Sequence, residues 1–213
     1  MSGQAKETVR RHLIDPAPRF RDRRNLLPAV FLDRDGVINE EMHYLSRVEE
    51  LKLIDGAASA IRRLNDADIP VIIVTNQSGV ARGYLNEDQL LEIHQALVAM
   101  LVREKASVQG IYYSPFHMMG EGEYRRESDC RKPGSGMLVA AASEFAISLS
   151  ESVLVGDRIN DVRAAHGVQA RAIMVRTGHG AKETQLPEAS EADFIADDLA
   201  SAVDHIVGTL ITR

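Results

Sequence analysis

Short apolar runs of four or five residues recur along the chain, separated by longer stretches in which apolar residues return every three or four positions. The first pattern suits strands buried on both faces; the second suits helices with one buried side. Residues 29–33 form an apolar run ending in acid. Residues 55–66 predict a helix, with Asp55 as N-cap and Ile61 and Leu64 on one face. After Pro70, the β-branched run 71–75 reads as a buried strand and 76–84 as a glycine-bearing loop. Asn86, with Gln89 three residues on, has the form of a capping box, and Leu90, Ile93, Leu97 and Leu101 give the helix behind it an apolar face. Residues 110–114 make another strand. The stretch 115–135 has no periodicity, and irregular segments of that length are functional or disordered. Beyond it, 137–147 predicts a helix through Leu138, Ala142 and Phe145, 152–155 a strand, 160–166 a short helix stopped by Gly167, and 172–175 a strand. Leu199, Val203, Ile206 and Leu210 mark a last helix.

Strands alternating with helices predict a doubly wound, Rossmann-like α/β fold, a parallel sheet with helices on both faces. The short connection from Asn39 to Asp55 leaves no room for a large cap domain. At 213 residues the chain has room for one full core. Charge divides it further: residues 1–28 carry a net +4 and the rest −10. This suggests a basic N-terminal arm (1–28, with Arg10, Arg11, Arg19, Arg21, Arg23 and Arg24) lying on an acidic domain (29–213). An acidic body argues against general nucleic-acid binding. No apolar run is long enough to span a membrane, residues 1–11 lack the apolar centre of a secretory signal, and the single cysteine, Cys130, excludes an internal disulfide. A cytoplasmic, monomeric protein without nucleic-acid or membrane partners is expected.

In such sheets ligands bind at the carboxyl ends of the strands, near the switch point. Those ends carry Asp33-Arg34-Asp35-Gly36, Thr75-Asn76-Gln77-Ser78-Gly79 and Gly156-Asp157-Arg158, with Asp161 close behind; Arg131-Lys132-Pro133 lies just before a helix. Crowded carboxylates repel and call for a cation, and hard oxygen ligands favour Mg²⁺. Mg²⁺ beside a threonine and a lysine suits a phosphate group. One aspartate can be a nucleophile through an aspartyl-phosphate, and another two residues on, on the same side of an extended segment, can handle protons. Asp33 and Asp35 have that spacing. A calcium loop is excluded, because Phe31 stands where its first acid would be.

Taken together, these strings resemble the haloacid dehalogenase superfamily of phosphatases. The segments Phe31-Leu32-Asp33-Arg34-Asp35-Gly36-Val37-Ile38-Asn39, Val74-Thr75-Asn76-Gln77-Ser78-Gly79, Lys132, and Val155-Gly156-Asp157-Arg158 with Asp161 look like its four motifs. Within it, DRDGVIN, TNQSGVARG, CRKP and VGDR resemble the heptose 1,7-bisphosphate 7-phosphatases and the related histidinol-phosphatases, over roughly residues 29–205. The resemblance implies a phosphomonoesterase for a small phosphorylated metabolite, foremost a heptose bisphosphate, with histidinol phosphate or another sugar phosphate as the alternative. It implies Asp33 as nucleophile and Mg²⁺ ligand, Asp35 as proton donor and ligand through its carbonyl, and Asp157 as third ligand. Thr75 and Lys132 would hold the phosphoryl oxygens, and Arg34, Tyr44, Asn76, Gln77, Ser78, Arg131 and Arg158 would meet substrate. Asp35 would start protonated, its pKa raised by neighbouring anionic charge.

Two departures stand out. The family's zinc loop is degenerate: its four ligand positions read Ser114, Phe116, Ser128 and Cys130, so magnesium alone and no zinc is expected. Phe116, Met118, Met119 and Tyr124 would then order 115–135 by packing, and His117 would be a rim residue. After the first motif, Glu41-Met42-His43-Tyr44 keeps only the tyrosine of the family's Asp-His-Gly-Tyr stretch. A receiver-like signalling domain also gathers acids, a threonine and a lysine, but Asp35 favours turnover over storage of the phosphoryl group. A binding protein on an inactive phosphatase fold would have lost some of these residues.

Overall fold

The computed structural model describes residues 9–13 and 26–210. Its strands are β1 (Arg10–Leu13), β2 (Val30–Leu32), β3 (Val71–Asn76), β4 (Gly110–Ser114), β5 (Val153–Gly156), β6 (Arg171–Val175) and β7 (Phe194–Ala196). They form one sheet in the order β1-β4-β3-β2-β5-β6-β7, parallel except for the antiparallel edge strand β1. Because β2 is central and the chain leaves it first towards β3 and later towards β5, the switch point lies at the carboxyl end of β2.

Side chains alternate across the sheet and fill two cores. Val30, Leu32, Val71, Ile73, Ile111, Val153, Val155, Ile173 and Val175 face α1 (Ala57–Asp66), α3 (Glu87–Arg103) and α7 (Leu199–Leu210). Phe31, Ile72, Val74, Tyr112, Leu154, Ala172 and Met174 face α4 (Gly136–Phe145) and α5 (Ile159–His166). Near-continuous apolar runs are what a sheet covered on both faces requires.

The capping box of α3 is present: the Gln89 N–H donates to Asn86 Oδ1 (2.8 Å) and the Asn86 N–H donates to Gln89 Oε1 (2.9 Å). Asp55 does not cap α1; Gly56, in the left-handed region at φ 81°, turns the chain into a helix that begins at Ala57. The loop after β3 contains a short helix, α2 (Ser78–Ala81), and another, α6 (Gly180–Glu183), follows β6. Part of the basic segment belongs to the sheet: β1 pairs with β4, and Arg10 and Arg11 reach Glu87 and Glu144. Arg19, Arg21, Arg23 and Arg24 lie outside the described residues.

The stretch 115–135 folds over the carboxyl end of the sheet. Phe116 is buried, stacked under the Arg126 guanidinium at 3.9 Å, and Tyr124 donates to Glu87 (2.9 Å). Backbone bonds tie the segment down, among them Glu121 N–H to Ala81 O and Gly136 N–H to Asp129 O. Met118 and Met119 contribute nothing to this packing, being 53% and 72% exposed. Among the old zinc positions, Ser114 is buried at the end of β4 and Cys130 lies in the core beneath α4.

Candidate active site

The carboxyl ends of β2, β3 and β5 surround a polar cavity of about 280 Å³. Asp33 follows β2, Thr75 lies in β3, Asp157 follows β5, and Lys132 enters from the segment ahead of α4. Lys132 Nζ is buried; it donates to Val74 O (2.8 Å) and forms ion pairs with Asp33 Oδ1 (2.9 Å) and Asp161 Oδ1 (2.5 Å), while Asp161 Oδ1 accepts no hydrogen bond among the described residues. The Arg34 N–H also donates to Asp33 Oδ1 (2.8 Å).

Carboxylate oxygens of Asp33, Asp157 and Asp161 lie within 4.8 Å of one another, all buried. Burial, together with the charges of its acidic neighbours, pushes Asp33 up to about 6 despite Lys132, and burial with Asp33 and Asp161 pushes Asp157 up to about 9. This is the electrostatic signature of anions gathered without enough positive charge. An all-oxygen set with two oxygens accepting no hydrogen bond among the described residues, Asp33 Oδ2 and Asp157 Oδ1, fits Mg²⁺. Asp161, missing from the ligand set the sequence suggests, serves mainly as a support: it takes Lys132 and, through Oδ2, the Arg158 N–H that opens α5 (3.0 Å).

Two left-handed glycines pinch this site shut around Asp157. A Cβ on Gly36 (φ 79°) would stand 2.2 Å from Asp157 Oδ2, and one on Gly178 (φ 57°) 2.4 Å from the same atom. The His179 N–H, next along, donates to that oxygen (2.7 Å). Only glycine lets both loops approach so closely.

The environment of Asp35 differs from the expectation. Its pKa is lowered, not raised: burial opposes ionisation, but Arg34, Asn39 and Gln77 outweigh it. Arg34 Nη2 reaches both Asp35 oxygens (2.9 and 2.8 Å), Asn39 Nδ2 donates to Oδ1 (2.8 Å) and Gln77 Nε2 to Oδ2 (2.8 Å). Asp35 therefore rests as a carboxylate.

Three residues expected to meet substrate line the cavity and also brace its other groups. The Arg34 side chain is buried, joining Asp35 to His94 Nε2 (3.1 Å), which in turn meets His12 Nδ1 through its own Nδ1 (2.8 Å). Asn76 clamps the Lys132 backbone from both sides, accepting its N–H and donating to its carbonyl (both 3.0 Å). The buried Gln77 amide spans Asp35 and Thr75 Oγ1 (2.9 Å). Ser78, Arg131, Arg158, Tyr44 and His117 line the cavity as well. The sequence reading passed over Arg82, although it stands in the quoted TNQSGVARG string. Arg82 lines the cavity beside Tyr44, its buried Nε makes no hydrogen bond among the described residues, and with Arg158 it depresses the Arg131 pKa by like-charge repulsion, after burial.

A buried aspartate cluster with a lysine at the switch point of a doubly wound sheet, with a second aspartate two residues after Asp33, has the make-up of a phosphate-ester hydrolase site. Comparison with known proteins agrees. Residues 30–109 match the haloacid dehalogenase-like hydrolase family model and 129–202 the HAD-hydrolase-like one. The chain is 42% identical over 193 residues to the D-glycero-D-manno-heptose-1,7-bisphosphate 7-phosphatase of Thermosynechococcus vestitus, covering 87% of this chain and 98% of that one. It is 39% identical over 176 residues to D-glycero-beta-D-manno-heptose-1,7-bisphosphate 7-phosphatase of Haemophilus influenzae, covering 82% and 92%. The crystal structure of D,D-heptose 1,7-bisphosphate phosphatase from B. bronchiseptica, complexed with magnesium and phosphate, superposes with a TM-score of 0.76 at 30% identity, covering 85% and 99%. The chain belongs to the heptose-bisphosphate phosphatase family of the haloacid dehalogenase-like hydrolases, and it is a phosphoric monoester hydrolase.

Proposed function

We propose that this enzyme removes the 7-phosphate of D-glycero-D-manno-heptose 1,7-bisphosphate through an aspartyl-phosphate on Asp33, as a cytoplasmic monomer whose site is built from one chain. The observation that carries the chemistry is Asp33, buried beside Lys132 (2.9 Å), with a carboxylate oxygen within 4.8 Å of one from Asp157, both lining a polar cavity of about 280 Å³. Asp33, Asp157 and the Asp35 carbonyl would hold Mg²⁺. When bound, the ion supplies positive charge that keeps Asp33 ionised and draws negative charge off the phosphoryl oxygens.

Asp33 Oδ attacks phosphorus in line, and the bond from phosphorus to the sugar oxygen breaks. Lys132 and Thr75 receive the transferring oxygens. Asp35 gives its proton to the leaving alkoxide, then takes one from the water that attacks the aspartyl-phosphate, releasing inorganic phosphate and restoring Asp33. Because Asp35 rests ionised against Arg34, it takes up its proton and turns from the guanidinium as substrate binds; substrate anion nearby favours that uptake. Arg82, Arg131 and Arg158 form a cationic rim suited to the second phosphate, which favours a bisphosphate over histidinol phosphate. No zinc is proposed for the 115–135 segment, where Phe116 and the buried Cys130 supply packing instead.

The test is single-turnover hydrolysis followed by acid quench. Wild-type protein should carry a transient acyl-phosphate sensitive to hydroxylamine, and Asp33→Asn should carry none and release no phosphate. Phosphate release by Asp33→Asn at a rate near that of wild type would sink the assignment.

A further inference from the structure

Outside the aspartate cluster, Glu41, His43 and His179 bring one carboxylate oxygen and two imidazole nitrogens within 4.8 Å of one another. They come from separate segments, the turn after Asn39 and the loop between β6 and α6. We propose that these three side chains form a second metal site, selective for a borderline divalent cation such as Zn²⁺ or Co²⁺.

The donor set makes the selection. Imidazole suits zinc and cobalt, whereas a set of carboxylates suits magnesium, so the two clusters would sort their ions by chemistry. Distance agrees. His179 Nε2 and Glu41 Oε2 stand 3.4 Å apart. Two ligands on a tetrahedral zinc, with bonds of about 2.0–2.2 Å, stand about 3.3–3.6 Å apart. The third ligand must close by up to about 1.2–1.5 Å to reach that separation, and His43 is exposed. A plain ion pair between Glu41 and His179 would not need a second imidazole at this corner.

Both sides of the site are already held. Glu41 Oε1 accepts the His43 N–H (2.5 Å), which leaves Oε2 for the cation. His43 sits at φ 59°, a left-handed turn that places its ring 6.3 Å from that of His179. The backbone of His179 is fixed by its bond to Asp157. Three protein ligands leave a fourth position open, as in zinc sites that keep a water or a ligand oxygen. All three residues line the active-site cavity, so that position opens towards bound substrate. Occupied, the site would lock the Tyr44 turn to the loop that buttresses Asp157.

The test uses tag-free, full-length protein with millimolar Mg²⁺ present to fill the carboxylate site. Zn²⁺ uptake is measured by equilibrium dialysis and elemental analysis, and Co²⁺ uptake by its visible ligand-field absorption. One equivalent is expected, with affinity reduced at least about tenfold in both His43→Ala and His179→Ala. Glu41→Gln should weaken it as well, while His117→Ala and Cys130→Ser bind as wild type does. Melting curves without added zinc check that each variant is folded, and His179→Gln replaces His179→Ala if the latter is not. Wild-type uptake in the two histidine variants, loss of uptake in Cys130→Ser, or no uptake by the wild type would each overturn the proposal. None of these readouts depends on hydrolysis, so the outcome is independent of the proposed reaction.

Discussion

Lys132 sits buried between two carboxylates and a carbonyl, and its ammonium is pushed upward in pKa by Asp161 and Asp33 despite its burial. Removing it as Lys132→Met leaves two buried acids without a cation. Breaking a buried pair in this way costs about 3–5 kcal/mol. The variant should therefore melt well below wild type, and added Mg²⁺ should raise its melting temperature more than it raises that of wild type. Equal Mg²⁺ shifts in the two proteins would argue that Lys132 and the ion do not share the same charge. Arg34 shows a different logic. Its position between two aspartates in the first motif suggested a substrate contact, but its side chain runs inward to Asp35 and His94. Its role was hidden because His94 lies sixty residues away and nothing in the sequence pairs them. The same is true of Asn76 and Lys132, which clamp one another across 56 residues.

His94 connects a residue-level property to an element. It lies on the buried face of α3, touching Arg34 and the His12 ring of the edge strand β1, with Tyr113 alongside. Burial, then Arg34, then His12 hold its pKa well below the ordinary 6.5. The folded protein thus keeps it neutral, while the unfolded chain binds a proton below 6.5. Stability from this group is therefore present above that pH and falls as pH drops through the window beneath it, by up to about 1.4 kcal/mol per pH unit. Denaturant midpoints measured across that window should fall more steeply for wild type than for His94→Gln; parallel slopes would contradict it. At the start of the same helix, Asn86→Ala removes the capping box and should cost about 1 kcal/mol of stability with kcat/KM unchanged, read by chemical denaturation and a standard assay.

The elements themselves were legible where the pattern was dense. All five central strands and the long helices α1, α3, α4, α5 and α7 follow from apolar spacing, because each buries a full face. The elements that escaped are short or polar. β1 is Arg-Arg-His-Leu, an edge strand whose charge hides its pairing, and β7 is three residues long. Asp33, Thr75 and Asp157 stand out in the sequence because they close or follow apolar strand runs, whereas Lys132 lies in the aperiodic 115–135 stretch and stands out only by its place before a helix. What was not legible is which side chains brace the others, since that depends on contacts between distant segments.

At the scale of the whole molecule, the doubly wound sheet gathers the site at the carboxyl ends of its central strands, where the 41–45 turn, the 78–85 loop, 115–135 and His179 all contribute to the cavity wall. Arg82, Arg131 and Arg158 line that cavity, and the proposed reaction gives them the second phosphate. Chelation of Mg²⁺ with EDTA should abolish phosphate release, and readdition should restore it; activity that persists after chelation would rule out the ion's part. Arg82→Ala should raise KM for a bisphosphate about tenfold or more, in keeping with a lost charge-assisted contact, and alter monophosphate hydrolysis far less. The most direct measurement is phosphate release with Mg²⁺ from D-glycero-D-manno-heptose 1,7-bisphosphate, beside fructose 1,6-bisphosphate, histidinol phosphate and a 3′-phosphorylated oligonucleotide, with the cleaved position read by phosphorus NMR. The expected result is loss of the 7-phosphate alone, with kcat/KM above about 10⁴ M⁻¹s⁻¹ and a clear preference for the heptose. Uniformly feeble release across the panel, or cleavage at the 1-position, would contradict it.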